Sequence, residues 1–580
     1  MKSINFFIIF LATAILFSGC KSSMKTGQAG AAKKNSISEK DKTNYEFKFH
    51  NATKEKILGN IERAANLYAE CVKINNTQPT PYYELAGIYD QLGKHETALD
   101  FSKQAAKLEP ENVWFQLQYA GLLQKNGQNK KAVSVYEKLV KDNPEKIEFY
   151  YDLTNAYLYE NELQKAIQVY DNLEKIIGVS EEVSVQKQRI YSKMGQSEKA
   201  ISEIQKLINN FPKNGDYYIM LSEIYRSSNN NEKALEALNK GLEMDAENAY
   251  IHLSFADYYK SKNEKEKSFE HLKKAFSNTN LDVDNKVKIL FNNYYQISDT
   301  ANSLKSEAFT LAEILIETHP LEAKGYTIYG DFLVRDKKYK EAREQFRKAI
   351  IYDKNKFDVW RALLDIDAEL MDYEMLEKES KEAKELFPTQ PFFYYYNGTA
   401  NLQMQKFNEA IEVLELGVAL VVDNKELSTL FYSNLGEAYY KLKKHKRSDE
   451  CYDKALQHDP NNIFVLNNYG YYLSLRNEKL EKAEEMSKRS NSLEPNNANF
   501  QDTYGWILYQ NKKYAEAKTW IEKALQSGGS TNGVIIEHYG DVLFRLNEKE
   551  KALEQWKKAK ETGRTSELID RKISEKKLIE

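Results

Sequence analysis

Pro110, Pro144, Gly178, Pro212, Ala246 and Asn280 follow one another at a fixed interval of 34 residues, without a single insertion. A period of that length means one supersecondary unit repeated. The apolar face of each unit can be buried only by its neighbours, so the chain grows by stacking and not by dividing into globular domains. Inside the period a small residue recurs at Ala132, Ala166, Ala200, Ala234 and Ser268, and a large one at Leu123, Tyr157, Tyr191, Tyr225 and Tyr259. Residues 498–525 show one unit most clearly. There Tyr504, Gly505 and Leu508 are followed by Ala517, Ile521 and Ala524, which puts small residues at offsets 0, 12 and 19 with large apolar residues between them. Those offsets describe two short helices packed face to face. Gly505 and Ala517 let the backbones approach, and Ala524 leaves room for the first helix of the following unit. Only 10 prolines and 24 glycines interrupt 580 residues, so helices are unobstructed. The expected fold is all-α, a solenoid of about fifteen antiparallel helix hairpins.

Taken in order, the first hairpin is expected over residues 45–76, with Ala52, Ala64, Tyr68 and Cys71 in the marker places, and the second carries Leu85, Ala86, Tyr89, Ala98 and Ala105. The rhythm lapses over residues 281–320, which predict a degenerate hairpin with helices near 283–297 and 302–318, and either a bend between two halves of the array or a harmless insertion. It resumes at Lys354, Pro388 and Val422. The next interval is 38 residues, which places a longer loop over 422–426. The last units carry Tyr469-Gly470, Tyr504-Gly505 and Tyr539-Gly540. Residues 527–533, SGGSTNG, read as a flexible turn, and Ser566 is placed to cap a final helix reaching Glu580. The implied division is an N-terminal array at 45–280, an irregular repeat at 281–320, a C-terminal array at 321–564 and a capping helix at 565–580.

The beginning of the chain is of another kind. Lys2 precedes an almost wholly apolar run over residues 4–17, and Leu16-Phe17-Ser18-Gly19-Cys20 closes it with small residues before a cysteine. This is the pattern of a secretory signal over residues 1–19. Residues 21–44 are polar and small and read as a tether that begins at Cys20. The five residues ending at Cys20 resemble the lipobox of bacterial lipoproteins. That resemblance implies that Cys20 carries lipid, palmitate included, and becomes the first residue of the mature chain. More than one acyl chain on it would give lasting membrane attachment. No acidic run follows Cys20, which by the same resemblance favours the periplasmic face of an outer membrane. Cys71 and Cys451 lie in repeats far apart and read as small core residues, not as a disulfide pair or reactive thiols.

The 34-residue pattern resembles the tetratricopeptide repeat family over residues 45–564. It implies a right-handed superhelix with a concave groove and a role as an adaptor. Thr154 and Gln188 stand where that family usually has a small residue, so looser packing is expected in those two units. The family places first-helix positions two, five, nine and twelve of each unit on the concave side. Transferred here, with two asparagines one place along, they give a candidate partner-binding groove of Tyr395, Asn434, Tyr440, Asn468, Tyr471, Trp506, Tyr509 and Phe544. Tyrosine and tryptophan supply contact area at small entropic cost, and asparagine can bond an extended peptide's backbone through both its donor and its acceptor. Asn434 and Asn468 resemble the start of the asparagine ladder of peptide-binding superhelices, which Thr503 then interrupts. The basic residues of the carboxylate-clamp subclass are not recognisable.

Nothing in the sequence suggests catalysis. HExxH, CxxC, GxSxG and GxxxxGK motifs are absent, and the eight histidines never pair at helical spacing on one face. No catalytic residue, metal ligand or cofactor is therefore expected. A net charge of −3 gives no basic excess for nucleic acid. The expected function is a scaffold of the bacterial envelope, held to the membrane by its N-terminal lipid and binding one or more envelope proteins or extended peptides. The resemblance extends to adaptors that link a protease to cell-wall hydrolases, or that belong to secretion or motility machinery. The alternative is a glycan-binding regulatory or carrier subunit, with an enzyme of unrecognised site as a third reading. The oligomeric state is left open.

Overall fold

The computed structural model describes residues 37–295 and 302–579. The expected signal segment and Cys20 lie outside the described residues. Within them the chain is all-α, with 31 α-helices in tandem hairpins and no β-strand.

Two sequence choices make each hairpin. Asparagine side chains cap many first helices, as Asn112, Asn248, Asn462 and Asn497 do by accepting backbone N–H bonds from the first turn. Between the paired helices the chain reverses through one residue of positive φ, and these residues recur with the repeat: Gly59, Gly93, Gly127, Asn161, Gly195, Asn229 and Asn263, then Lys337, Met371 and Gln405. At Gly93 the N–H bonds to Asp90 O at 3.0 Å while the N–H of Lys94 reaches Tyr89 O at 2.9 Å, closing the helix in a Schellman motif.

The core runs along the contact of the paired helices. Ala132, Ala166, Ala200, Ala234, Ala342, Ala410, Ala483, Ala517 and Ala552 on the second helices are completely buried. Where the small residue is serine it stays bonded. Ser268 Oγ donates to Ala256 O at 2.8 Å and Ser448 Oγ to Gly436 O at 2.7 Å, each joining the two helices of its hairpin. Glycine on the first helix makes room for a large residue on the second. A Cβ on Gly436 would lie 2.9 Å from the ring of Tyr452, and one on Gly540 would lie 2.5 Å from that of Trp556. At Gly505 the occupant is Ile521, with the backbone of Ala517 close behind. Thr154 is not loosely packed. It is fully buried, and its hydroxyl donates to Tyr150 O at 2.8 Å, so a backbone acceptor takes up the polar atom. Gln188 remains partly exposed and bonds to Ser192. Cys71 and Cys451 are both buried and free, their thiols pushed up to about 11 by burial.

Several boundaries differ from the sequence expectation. The first helix is Glu39–Ile57, starting inside the expected tether, because Ser38 accepts the N–H of Asp41 and two acids occupy the first turn. The extra residues of the 38-residue interval do not lengthen the loop. They add a turn at the start of Lys425–Lys441, which has 17 residues where its counterparts have 13. In the irregular repeat, Val283–Leu290 passes into a π-helical turn at Phe291–Tyr295, while Asn302–Thr318 is helical as expected. Residues 296–301 lie outside the described residues. The SGGSTNG segment is a packed corner and not a flexible turn: it forms a 3₁₀ turn at Gly529–Thr531, and a Cβ at Gly533 would stand 1.9 Å from Gly563 O. The final helix is short, Ile569–Glu575. Ser566 gives its hydroxyl proton and N–H to Glu537 while its Oγ accepts the N–H of Leu568 at 3.2 Å, ahead of the helix, and Lys576 leaves the helix with positive φ.

The chain divides into two compact units. The first runs to Pro212 and includes Glu223–Asn230; the second comprises Lys213–Ser222 and Asn231–Glu580. The irregular repeat thus lies within the second unit, not at the division.

Candidate functional site

The predicted groove residues all stand on the first helices of the second unit: Pro391–Gln403, Lys425–Lys441, Ile463–Leu475, Ala498–Gln510 and Gly533–Arg545. Successive first helices are joined there by side chains reaching back to the preceding repeat. Asn434 Nδ2 donates to Thr399 Oγ1 at 2.9 Å. One hundred and four residues on, at the same helical place, His538 Nδ1 meets both oxygens of Asp502 at 3.0 Å. The short terminal helix repeats the arrangement, with Lys572 Nζ on Glu537 at 2.9 Å and on Asp541 at 2.7 Å.

Aromatic rings fill the spaces between these links. Tyr440 stacks on Tyr472 with centroids 3.8 Å apart, and Tyr471 lies 6.0 Å from Tyr472. Trp506 is held between Tyr509, at 4.7 Å, and His538, at 4.1 Å, in a stack of three nearly parallel rings. Tyr395 stands with its edge to Phe431 at 5.7 Å. Phe544 is apart from the others, stacked on Trp556 at 5.6 Å.

The electrostatics follow from burial and these pairs. Burial works against the His538 cation, yet the charge and hydrogen bond of Asp502, with Asp541 and Glu537 behind, hold its proton above the ordinary histidine range. The Tyr471 hydroxyl is pushed up to about 12, first by burial and then by the charge of Asp502. At Asp541 burial outweighs Lys572 and raises the carboxyl, whereas at Glu537 the lysine and Ser566 together overcome burial and lower it.

The structure therefore corrects parts of the predicted groove. Tyr509 is buried at 3 % exposure and its hydroxyl accepts from Arg545 Nε at 3.1 Å, so it supports Trp506 and is not a contact surface itself. Asn434 is engaged by Thr399, and the carbonyl of Asn468 accepts from Asn467 Nδ2 at 3.3 Å. Tyr440, Tyr471 and Trp506 are partly exposed. Two groups on this face keep buried polar atoms without a partner, Asn467 Oδ1 and Trp506 Nε1. The sequence reading missed Asn467, Asp502, His538, Glu537, Asp541 and Lys572. Asp502 and Glu537 stand at position five of their units and Asp541 at position nine, so an acid at those places was the available signal. Among the described residues, no group of three or more His, Cys, Asp or Glu side chains is arranged to hold a metal ion.

Among solved structures, the chain is similar to "Structure of Naa15/Naa10 bound to HypK-THB", at 15% identity over 93% of this chain and 95% of that one, with a TM-score of 0.37. It is also similar to "Crystal structure of APC/C hetero-tetramer Cut9-Hcn1", at 16% identity over 86% and 96%, with a TM-score of 0.34. No curated protein matches the sequence. Family models described as tetratricopeptide repeat match residues 79–112, 120–176, 189–214, 215–248, 430–462, 451–485 and 499–527. With those matches set along an all-α array of hairpins, the matched stretches are similar to tetratricopeptide repeats.

Proposed function

We propose that this chain is a protein–protein interaction scaffold that takes an extended segment of a partner along the first-helix face of its C-terminal repeats. The observation that carries the reading is the pair of buried, unpartnered polar atoms on that face, Asn467 Oδ1 and Trp506 Nε1. A buried acceptor and a buried donor left unbonded each cost on the order of 1–3 kcal/mol, and a peptide backbone supplies the complement of both. The partly exposed rings of Tyr440, Tyr471 and Trp506 beside them offer rigid contact area.

The scaffold is further proposed to be a lipoprotein of the bacterial envelope, anchored through Cys20 at the outer membrane and facing the periplasm. There it would link a protease, a cell-wall hydrolase or secretion or motility machinery. Support for this is the apolar run followed by Leu16-Phe17-Ser18-Gly19-Cys20. Incorporation of labelled palmitate into the wild type and its loss in Cys20→Ser tests the anchor; equal labelling of both defeats it. Crosslinking in intact cells, comparing proteins captured by the wild type with those captured by Trp506→Ala, tests the binding face. Loss of a specific protein from the capture supports the reading. An unchanged list removes the face from consideration, and retention of isolated cell-wall material in place of protein replaces the scaffold by a glycan-binding subunit.

A further inference from the structure

A second site lies at the irregular repeat. The end of Val283–Leu290, the face of Ala323–Arg335 and the start of Phe357–Glu369 line a cavity of about 480 Å³, within the ~300–1,000 Å³ usual for ligand sites. Val287, Phe291, Ile328, Phe357 and Val359 make its wall largely apolar. Into this wall the helix Ala323–Arg335 contributes Lys324, Thr327 and Asp331 from successive turns, positions two, five and nine of its unit.

Asp331 is the group the fold leaves unexplained. It is partly buried and among the described residues makes neither a hydrogen bond nor an ion pair, and burial pushes its carboxyl up to about 6. The other charges of the cavity do not compensate it. Lys324 is bonded to Asp284, Lys356 to Asp353 at 3.4 Å, and Asp358 adds a further negative charge in solvent at the rim. Thr327 has already given its hydroxyl proton to Ala323 O. What remains is an apolar recess with a single uncompensated acid in it, which disfavours the empty site and favours a cation.

We propose that this cavity binds a basic side chain, lysine or arginine, presented by an extended segment of a partner protein, its charged end on Asp331 and its methylene stem along Val287, Ile328 and Phe357. Long basic side chains bury their stems on apolar surface while the head stays paired. The rings of Phe291 and Phe357 add faces on which such a head can lie. The proposal rests on the protein-binding reading only for the origin of that side chain, and it uses none of the residues near Trp506.

The test uses the full chain with n-pentylguanidinium as the probe and neutral n-pentylurea as its control, followed by ligand-observed NMR. The guanidinium is expected to bind at least about tenfold more tightly than the urea, and Asp331→Asn is expected to abolish the difference. Asp358→Asn should keep most of it. Thermal unfolding of both variants separates loss of the site from loss of fold, and isosteric Asp331→Asn is expected to unfold no earlier than the wild type. Equal binding of the two probes, no binding of either, or an unchanged preference in folded Asp331→Asn overturns the proposal. Crosslinking of Trp506→Ala reads the C-terminal face alone, so the failure of one site is distinguishable from the failure of the other.

Discussion

His538 is held by Asp502 on one side and covered by the ring of Trp506 on the other. Because its folded pKa lies above the unfolded value of 6.5, the pair contributes stability that is fully present below about pH 6.5 and lost as pH rises through the folded value. Replacing His538 by Gln should therefore cost about 3 kcal/mol at pH 6 and distinctly less at pH 9, since it leaves a buried carboxylate without its cation. Denaturant unfolding at the two pH values checks this, and an equal cost at both would remove the ion pair from the account. His252 and His271 have the opposite sign. Their Nδ1 atoms meet at 3.0 Å across one hairpin, and burial with Lys274 nearby lowers both, His271 to about 4. Their contribution is present above pH 6.5 and is lost as pH falls toward 4. Neither pair could be read from spacing, because His538 and Asp502 are 36 residues apart and only the stacking of whole repeats brings them together. The turn residues belong to this scale as well. Met371 sits at φ 53, exposed, where the earlier repeats have glycine or asparagine. Relief of the left-handed strain, less glycine's own chain entropy, predicts that Met371→Gly stabilises by about 0.5–1 kcal/mol in the same unfolding measurement.

At the scale of the element, the helix hairpin was readable because small residues recur where two backbones must approach. Gly505 is an example: a Cβ there would stand 2.5 Å from Ile521 on the paired helix. Boundaries were less readable wherever an alternative use of the same residues existed. Four extra residues can extend a loop or add a helical turn, and before Lys425–Lys441 they add the turn, with Asn424 accepting the N–H of Leu427. Ser527-Gly528-Gly529 looks like a linker by composition, yet Gly529 lies against the backbone of Ala524, where a Cβ would stand 2.7 Å from its carbonyl oxygen. Gly533 opens a helix directly against the backbone of Gly563. That contact cannot be relieved by a rotamer change, since the obstructing atom is a carbonyl oxygen. Gly533→Ala should destabilise the protein by about 1–3 kcal/mol, the usual cost of overpacking, while Gly528→Ala is limited to the strain of its positive φ. A Gly533→Ala protein that unfolds with the wild type would show that the corner is not tightly held.

For the whole molecule, repetition makes stability a sum of units and of their nearest-neighbour interfaces, so an end must be closed by something that is not another repeat. The C-terminal end is closed by residues 563–579. Ile569 packs with Ile536, Leu543 and Trp556, and Lys572 sits buried between Glu537 and Asp541. Polarity explains why this closure needs a lysine: the first-helix face of the last hairpin carries two buried carboxylates that the following repeat would ordinarily cover. A chain ending at Thr562 should expose both acids and the ring of Trp556, with a local loss of about 1.5–3 kcal/mol from the removed packing of Ile569. In a linear array this loss remains near the end where it arises. Hydrogen exchange of the truncated protein is therefore expected to show faster amides in Gly533–Arg545 and Lys549–Thr562, a smaller effect in Ala498–Gln510 and none in Val113–Lys125. Lys572→Met, which keeps the apolar contacts and removes only the charge, should reproduce part of the same pattern. A uniform loss of protection along the whole chain would mean that the repeats unfold as one cooperative body and that the nearest-neighbour picture is wrong for this protein.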